Sequence, residues 1–179
     1  DWSSDVCSSD LDHLFLDGGV QPRPPAAGEV RVRIHASSLN YHDYVLVSGG
    51  IPADDGRVPM TDGAGVVLEA GPGMVSLKPG DRVMSLFFPD WQGGRATPEN
   101  TATLPGDRNH GFACEEVTVP AHWFTRAPAG YSHAEAATLP CAALTAWRAL
   151  MVDGPLLAGE TVLVQGSGGV SVFALQFAK

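Results

Sequence analysis

Alternation of apolar and polar residues is the clearest pattern in the first half of the chain. From position 29 to position 36 the sequence is Glu-Val-Arg-Val-Arg-Ile-His-Ala, in which every second residue is apolar. A period of two predicts a half-buried antiparallel strand. Further strands are predicted for short apolar runs at residues 14–16, 82–87, 112–119 and 123–124, and for a glycine-interrupted run at residues 62–71. The first half is therefore expected to be rich in β-structure.

The second half changes to a helical pattern. Ser132 followed by Glu135 predicts a capped helix start, and the alanine-rich stretch at residues 139–151 continues as helix. A shorter helical turn is predicted at residues 40–47, and residues 88–110 are predicted to be a long irregular loop because they hold few apolar side chains. Strands followed by helices indicate a small β-rich domain and then a doubly wound one.

The strongest candidate for a ligand site lies close to position 179. Residues 161–164 predict a buried strand, and residues 170–178 predict a helix. The glycine turn between them leaves backbone N–H groups free to bind a phosphate at the helix start, as in dinucleotide-binding proteins. Ser171 stands where a third glycine is usual, so a tight connection without a ligand remains an alternative. The candidate cofactor-binding residues of the turn are Gly166, Ser167, Gly168, Gly169 and Val170.

Composition limits the classes of partner. The net charge of −9 argues against nucleic acid and anionic membranes as partners. No apolar run reaches the roughly 20 residues needed to span a bilayer, and no secretory signal pattern is present. The 3 cysteines are far apart and form no disulfide framework. A cytoplasmic protein is therefore expected.

Both ends of the chain are unusual. Residues 1–11 show no strand or helix period and resemble the translation of a sequencing-adapter oligonucleotide, so we expect them to be a non-native tail. A βαβ unit takes roughly 30 residues or more, and residues 160–179 supply only its beginning. We therefore expect the chain to be a fragment that is inactive by itself.

Several ordered blocks together resemble the medium-chain dehydrogenase/reductase superfamily, specifically its zinc-independent, quinone-oxidoreductase-like branch. The resemblance implies an α+β/α/β fold in which a GroES-like β-rich N-terminal domain (residues 12–130) precedes the start of a Rossmann domain (residues 131–179). It also implies an active site in the cleft between the two domains. The matching blocks are residues 28–33, 38–43, 62–67, 78–83, 136–147 and 162–179.

Zinc-dependent members of this superfamily bind catalytic zinc through two cysteines and a histidine. The corresponding positions here are Asn40, Thr61 and Cys141, of which only the cysteine is a zinc ligand type. The loop at residues 88–110, which corresponds to a structural zinc site in relatives, contains no cysteine. We therefore expect neither zinc ion.

Without zinc, the resemblance implies that a nicotinamide cofactor and protein hydrogen bonds carry the chemistry. The candidate catalytic residues are Asn40, Tyr41, His42 and Asp43. Asn40 matches an asparagine beside the nicotinamide ribose in zinc-free relatives, and either Tyr41 or His42 can supply a proton. Thr145 matches a position at the nicotinamide end of the cofactor. The aromatic residues Phe87, Phe88 and Trp91 are candidates for the wall of an apolar substrate pocket.

The expected function is hydride transfer between NAD or NADP and a carbonyl or alcohol. A quinone or enoyl reductase acting on a conjugated C=C bond is the enzymatic alternative, since the fold does not separate the two. A nucleotide-binding or structural protein that has lost catalysis is the alternative from another class. The expected partner is a small carbonyl, quinone or enone, and the full-length protein is expected to form a homo-oligomer. The cofactor type is open because the residue that distinguishes NAD from NADP lies about 20 residues beyond the turn.

Overall fold

A computed structural model describes residues 14–18 and 22–179 of the chain. The strands are Glu29–Ser38 (β1), Asp62–Ala70 (β2), Arg82–Ser85 (β3), Glu116–Pro120 (β4) and Phe124–Arg126 (β5). They form one antiparallel sheet in the order β4-β1-β2-β3-β5. The β-rich first half expected from the alternating pattern is confirmed.

The alternation along β1 separates the core from the surface. Val30 and Val32 are fully buried, whereas Arg33 and His35 on the opposite face are exposed. Val30 pairs with Ala70 of β2 and with Val119 of β4, so β1 is covered by a neighbouring strand on both sides at this position. The buried side chains of the main core are Val30, Val32, Val67, Leu77, Val83, Phe112, Val119, Ala121, Trp123 and Phe124.

The glycine-interrupted strand β2 comes unusually close to β1. A Cβ atom at Gly65 would lie 1.9 Å from the Arg33 carbonyl oxygen, a separation that no side chain can adopt. The register between the two strands shifts between Arg31 and Val32 and again between Ile34 and Ala36. The glycine-interrupted run at residues 62–71 is therefore a strand, as predicted, and the two register shifts mark irregularities of the β-bulge kind in its pairing with β1.

Four α-helices follow the predicted positions. They are Tyr41–Val47 (α1), His133–Ala137 (α2), Leu144–Arg148 (α3) and Gly169–Phe177 (α4), and π-helical turns at Leu139–Ala143 and Ala149–Asp153 flank α3. At the start of α2, Ser132 Oγ accepts a hydrogen bond from the Glu135 N–H at 3.2 Å, and Glu135 Oε2 accepts one from the Ser132 N–H at 2.8 Å. This confirms the predicted capping box. Within the described chain, no helix combines the length and apolar character needed to cross a membrane.

Two predicted strands are wrong. Residues 14–16 and 161–164 form neither strand nor helix. Leu16 is 97% exposed and Leu163 is 85% exposed, so neither run is buried. A strand requires a neighbour to accept its backbone hydrogen bonds, and no described strand lies beside either run. Apolar composition alone therefore overpredicted these elements.

The strand predicted at residues 112–119 begins only at Glu116. Phe112 is 1% exposed, and its N–H donates to the Met60 carbonyl oxygen at 2.9 Å. Its apolar character reflects core packing rather than membership of the sheet. Trp123, predicted as strand, lies in the 3₁₀ turn Ala121–Trp123 that precedes β5. The eleven residues predicted to be a non-native tail lie outside the described residues.

The loop at residues 88–110 is irregular but firmly packed. Asp90 accepts a hydrogen bond from Thr103 Oγ1 at 2.5 Å and lies 2.8 Å from His122 Nε2. Leu104 and Pro105 are buried, and the Asn109 side chain accepts a hydrogen bond from the Leu104 N–H at 3.1 Å. The loop is thus held by specific contacts along its length.

Candidate functional site

Asn40 occupies the N-cap position of α1 and connects three elements through its side chain. Its Nδ2 donates to Thr61 Oγ1 at 3.0 Å and to Asp62 Oδ2 at 2.9 Å. It also lies 3.5 Å from the carbonyl oxygen of Ser38 at the end of β1. The carboxamide is therefore held where β1, α1 and the start of β2 meet, with its donor atom turned toward Thr61 and Asp62.

Asp43 holds this junction together from the first turn of α1. It is 2% exposed, and its Oδ2 accepts a hydrogen bond from the Asn40 N–H at 2.8 Å. Its Oδ1 accepts one from the Thr61 N–H, also at 2.8 Å. A carboxylate near a helix N-terminus is also stabilised by the helix dipole. These contacts make Asp43 a positioning residue for Asn40 and Thr61.

Asp62 is an acidic residue that sequence reasoning missed. It is fully buried at the start of β2, and its Oδ1 has no hydrogen-bond partner. Burial raises the pKa of Asp62 to about 7, against hydrogen bonds from Asn40 and Cys141 that favour the charged form. The sequence around Asp62 gives no signal of this role, because a single acidic residue before a glycine has no periodic pattern and its burial depends on contacts elsewhere in the chain.

The three positions that correspond to zinc ligands do not fit a zinc ion. Asn40 and Thr61 are hydrogen-bonded to each other, and the amide nitrogen of Asn40 has no lone pair to offer a metal. Desolvation, followed by the charges of Asp62 and Asp43, raises the pKa of the Cys141 thiol to about 12, so the thiolate that zinc requires is disfavoured. The expectation that zinc is absent stays a prediction.

The two candidate proton donors have different surroundings. Tyr41 is 81% exposed, and its ring lies 6.1 Å from the ring of Tyr44. His42 is half-buried, and its Nε2 lies 3.0 Å from Oδ2 of Asp107 in the irregular loop. Asp107 was not predicted, because the contact joins residues 65 positions apart and no sequence pattern marks it.

The candidate pocket aromatics form a continuous row that starts at His42. The ring centroid of Phe87 lies 6.1 Å from that of His42 and 4.8 Å from that of Phe88. The Trp91 ring lies 6.4 Å from Phe88, and the Arg148 guanidinium of α3 lies 4.6 Å from the Trp91 centroid. The row of aromatic rings therefore connects α1 to α3.

The glycine turn before α4 has the features of an anion-binding site. Gly168 is the N-cap of α4, and no side chain caps the helix there. A Cβ atom at Gly168 would meet nothing within 4 Å, so the space beside this residue is open. Gly166 has a φ of 83°, and Ser171 Oγ donates to the Gln165 carbonyl oxygen at 2.8 Å. The turn can therefore accept the phosphate of a nucleotide.

Short contacts connect the Asn40 junction to this turn. Asp62 Oδ2 accepts a hydrogen bond from the Cys141 N–H at 3.3 Å, and Cys141 belongs to the π-helical turn Leu139–Ala143. In the same turn, Ala142 packs so closely on Gly169 that a Cβ there would lie 3.2 Å from the Ala142 Cβ. Thr145 follows on α3, which packs against α4. Asp62 and Gly169, which are far apart in sequence, therefore both contact the π-helical turn Leu139–Ala143.

Met60 has a strained backbone next to this site. Its φ of 78° makes it the only non-glycine residue with a positive φ among those the structure describes. A Cβ atom at Gly106 or Gly111 would lie within 3 Å of Met60 backbone atoms, so the loop fits closely against it. Strain of this kind is often held at functional sites. Here it sets the path of the chain into Thr61.

The family model of the alcohol dehydrogenase GroES-like domain matches residues 26–129, more than half of the chain. A zinc-type alcohol dehydrogenase-like protein of Schizosaccharomyces pombe is 39% identical over 174 residues, which cover 95% of this chain and 50% of that protein. The chain thus spans about half the length of this relative.

Two solved structures have the same fold. An NAD-dependent alcohol dehydrogenase matches with a TM-score of 0.78 and 31% identity, over 90% of this chain and 50% of that one. The CurK enoyl reductase matches with a TM-score of 0.73 and 25% identity, over 96% of this chain and 48% of that one. These likenesses and the family model confirm the resemblance to the medium-chain dehydrogenase/reductase superfamily, while the zinc-independent branch stays a prediction. The chain belongs to the alcohol dehydrogenase GroES-like family of the medium-chain dehydrogenase/reductase superfamily.

Proposed function

We propose that the full-length protein carrying this chain is a zinc-independent, NAD(P)-dependent oxidoreductase that interconverts a carbonyl compound and its alcohol. The observation that carries the proposal is the hydrogen bonding of Asn40 to Asp62 and of Asp62 to Cys141, together with the close packing of the neighbouring Ala142 on Gly169. It joins a cluster of polar side chains to a turn suited to a nucleotide phosphate. The likeness to an NAD-dependent alcohol dehydrogenase supports the same chemistry.

In this proposal one region of the chain binds the cofactor phosphate and a second region orients the substrate. The N–H groups at the start of α4 bind a phosphate, since the N-cap is glycine and the space beyond it is open. A bound nicotinamide supplies or accepts the hydride. Asn40, fixed by Thr61 and Asp62, orients the reacting end, and Asp43 keeps Asn40 in place. Phe87 and Phe88 exclude water from the apolar part of the substrate.

A conjugated C=C bond is the second candidate substrate. The likeness to the CurK enoyl reductase favours it. Reduction of an enone places negative charge on an enolate, where it is delocalised, so this reaction has less need of a metal ion than reduction of an isolated carbonyl. Asn40 and Thr61 at the zinc-ligand positions are compatible with both reactions.

A substrate panel tests the proposal. Full-length protein carrying this chain is purified and incubated with NADH or NADPH and with aldehydes, ketones, quinones and enones, while consumption of reduced nicotinamide is followed by absorbance. We expect turnover of aldehydes or ketones. Saturated carbonyl products from enones, without carbonyl reduction, would instead establish the second candidate. A folded protein that oxidises neither cofactor with any class would overturn the proposal.

A further inference from the structure

His42 and Asp107 form a pair that resembles the base and orienting carboxylate of acid–base enzymes. His42 Nε2 lies 3.0 Å from Asp107 Oδ2, and the two side chains are 28% and 13% exposed. One comes from α1 and the other from the irregular loop. The pair is therefore partly shielded from solvent while still accessible to a small molecule.

The loop fixes Asp107 independently of His42. The Asp107 N–H donates to the Leu104 carbonyl oxygen at 3.2 Å, and Leu104 is 5% exposed. Asn109 closes the same turn by accepting from the Leu104 N–H and by offering its carbonyl oxygen to the Gly106 N–H at 2.9 Å. The backbone that carries Asp107 is thus fixed by the loop independently of the imidazole.

The groups around His42 favour proton transfer at this residue. Asp107 faces it from the loop, Asp43 is next to it on α1, and Asp62 lies behind Asn40 at the start of β2. The adjacent Arg108 guanidinium donates to the Thr101 carbonyl oxygen at 3.1 Å and so is engaged elsewhere. Tyr41, the other candidate, has no comparable oriented partner among the contacts described for α1.

We infer that His42, oriented by Asp107, is the group that exchanges a proton with the substrate oxygen; this inference rests on the proposed function. In this proposal Asp107 accepts a hydrogen bond from Nε2–H, which leaves Nδ1 as the nitrogen that exchanges a proton with the substrate. A bound reduced nicotinamide would supply the hydride to the carbonyl carbon, and the C=O π pair would then place negative charge on the substrate oxygen beside the His42 imidazolium. The Nδ1–H bond then breaks, an O–H bond forms, and the imidazole is left neutral until water reprotonates it. Alcohol oxidation runs the same transfers in reverse.

The first test uses the 179-residue chain itself and needs no activity. Nitrogen-15 NMR of the histidine rings reports which nitrogen carries the proton. We expect the neutral ring of His42 to be the Nε2–H tautomer, and Asp107→Ala to shift it toward a mixture of tautomers. An Nδ1–H tautomer in the parent, or no change in Asp107→Ala, would overturn the inference.

The second test uses full-length protein carrying the chain. We expect His42→Gln to lower kcat by about 10²–10⁴-fold with little change in KM, and to remove the dependence of kcat on one protonated group. Asp107→Ala should lower kcat less. His122→Gln is the matched control, because His122 forms a similar pair with Asp90 at 2.8 Å on the exposed surface and should leave kcat unchanged.

The outcomes separate the two proposals. An inactive parent protein would contradict the proposed function. An active parent whose kcat and pH profile survive in a folded His42→Gln variant would contradict the role of His42 alone. Loss of kcat in Tyr41→Phe with retention in His42→Gln would assign the proton to Tyr41 and overturn this inference.

Discussion

Asp62 is a carboxylic acid placed where water does not reach it. Its side chain is fully buried, and one carboxyl oxygen has no hydrogen-bond partner. The nearby negative charge of Asp43 further disfavours the ionised form of Asp62. A buried acid of this kind binds its proton more tightly in the folded chain than in the unfolded one. Folding is therefore linked to pH through this single residue.

The sign of this linkage gives a first prediction. The pKa of Asp62 is raised from 3.8 to about 7 by burial, so the folded state holds a proton that the unfolded state has lost between these values. Its contribution is fully present below about pH 4 and falls as pH rises to about 7, by about 1.4 kcal/mol per pH unit and by about 4 kcal/mol in total.

Urea unfolding of the chain at several pH values measures this effect. Asp62→Asn should remove the loss of stability between about pH 4 and about pH 7, because the amide does not titrate there. Asp54→Asn, at an exposed side chain, is the control and should leave the slope unchanged. A parent and an Asp62→Asn variant with the same pH dependence would contradict a buried, titrating Asp62.

The backbone of Met60 gives a second prediction at the residue scale. A positive φ is unfavourable for a side chain with a Cβ and least tolerated by β-branched residues. Met60→Gly should therefore raise the free energy of unfolding by up to about 1 kcal/mol, and Met60→Val should lower it by about 1 kcal/mol or more. Thermal unfolding measures both. The opposite order of Tm would show that the Met60 side chain, rather than the backbone, decides the stability.

At the scale of elements, the pairing of β1 with β2 depends on Gly65. Gly65 lets β2 approach β1 so closely that a methyl group would lie 1.9 Å from the Arg33 carbonyl oxygen. Backbone must move to admit it, and such overpacking costs several kcal/mol when the neighbour is main chain. Because β1 leads into Asn40 and α1, and β2 begins at Asp62, the same displacement would disturb the site.

Gly65→Ala should therefore destabilise the chain by about 3 kcal/mol or more. Gly93→Ala is the control, since a Cβ there meets nothing within 4 Å, and it should change the stability by less than about 0.5 kcal/mol. Chemical denaturation of both variants is the measurement. Equal stability of the two variants would contradict the close packing of β1 on β2.

Local patterns predicted the elements whose causes are local. The alternation in β1 and the capping pair Ser132 and Glu135 each act within a few residues, and both were predicted correctly. The strand at residues 161–164 was not, because a strand exists only beside a partner. The β4 boundary was wrong because Phe112 is apolar for the core, not for the sheet.

In the candidate site, too, features with local causes were predicted and features that depend on distant residues were not. Asn40 to Asp43 and the glycine turn were predicted from short blocks of sequence. In the structure Asp62 links Asn40 to the π-helical turn Leu139–Ala143, and Ala142 of the same turn packs on Gly169. Asp62 and Asp107 could not be predicted, because their roles come from burial and from contacts across 65 to 79 positions. Long-range contacts leave no periodic trace in a sequence.

At the scale of the whole molecule, we predict that the full-length protein holds no stoichiometric zinc. Asn40 and Thr61 are hydrogen-bonded to each other where ligands are required, and three protein ligands are the minimum of a catalytic site. Elemental analysis of protein purified without added metal should find far less than one zinc per chain. One zinc per chain, together with activity that a chelator removes, would contradict this reading of the residues.

The account predicts that the turn before α4 binds the phosphates of a nicotinamide cofactor. Gly168 offers a sharp probe, because its φ of −73° and the open space beside it accept a side chain without strain. Asp is a good N-cap residue, so Gly168→Asp should keep or raise the stability while its charge repels a phosphate. Gly168→Ser adds a neutral N-cap and is the matched control.

Fluorescence titration of NADH and NADPH into full-length protein carrying this chain is the most direct test. The parent should bind one of the two saturably, Gly168→Ser should bind within a few-fold of the parent, and Gly168→Asp should lose at least about tenfold in affinity while remaining folded. Binding that is absent from the parent, or equal in the parent and Gly168→Asp, would contradict a nucleotide site at this turn.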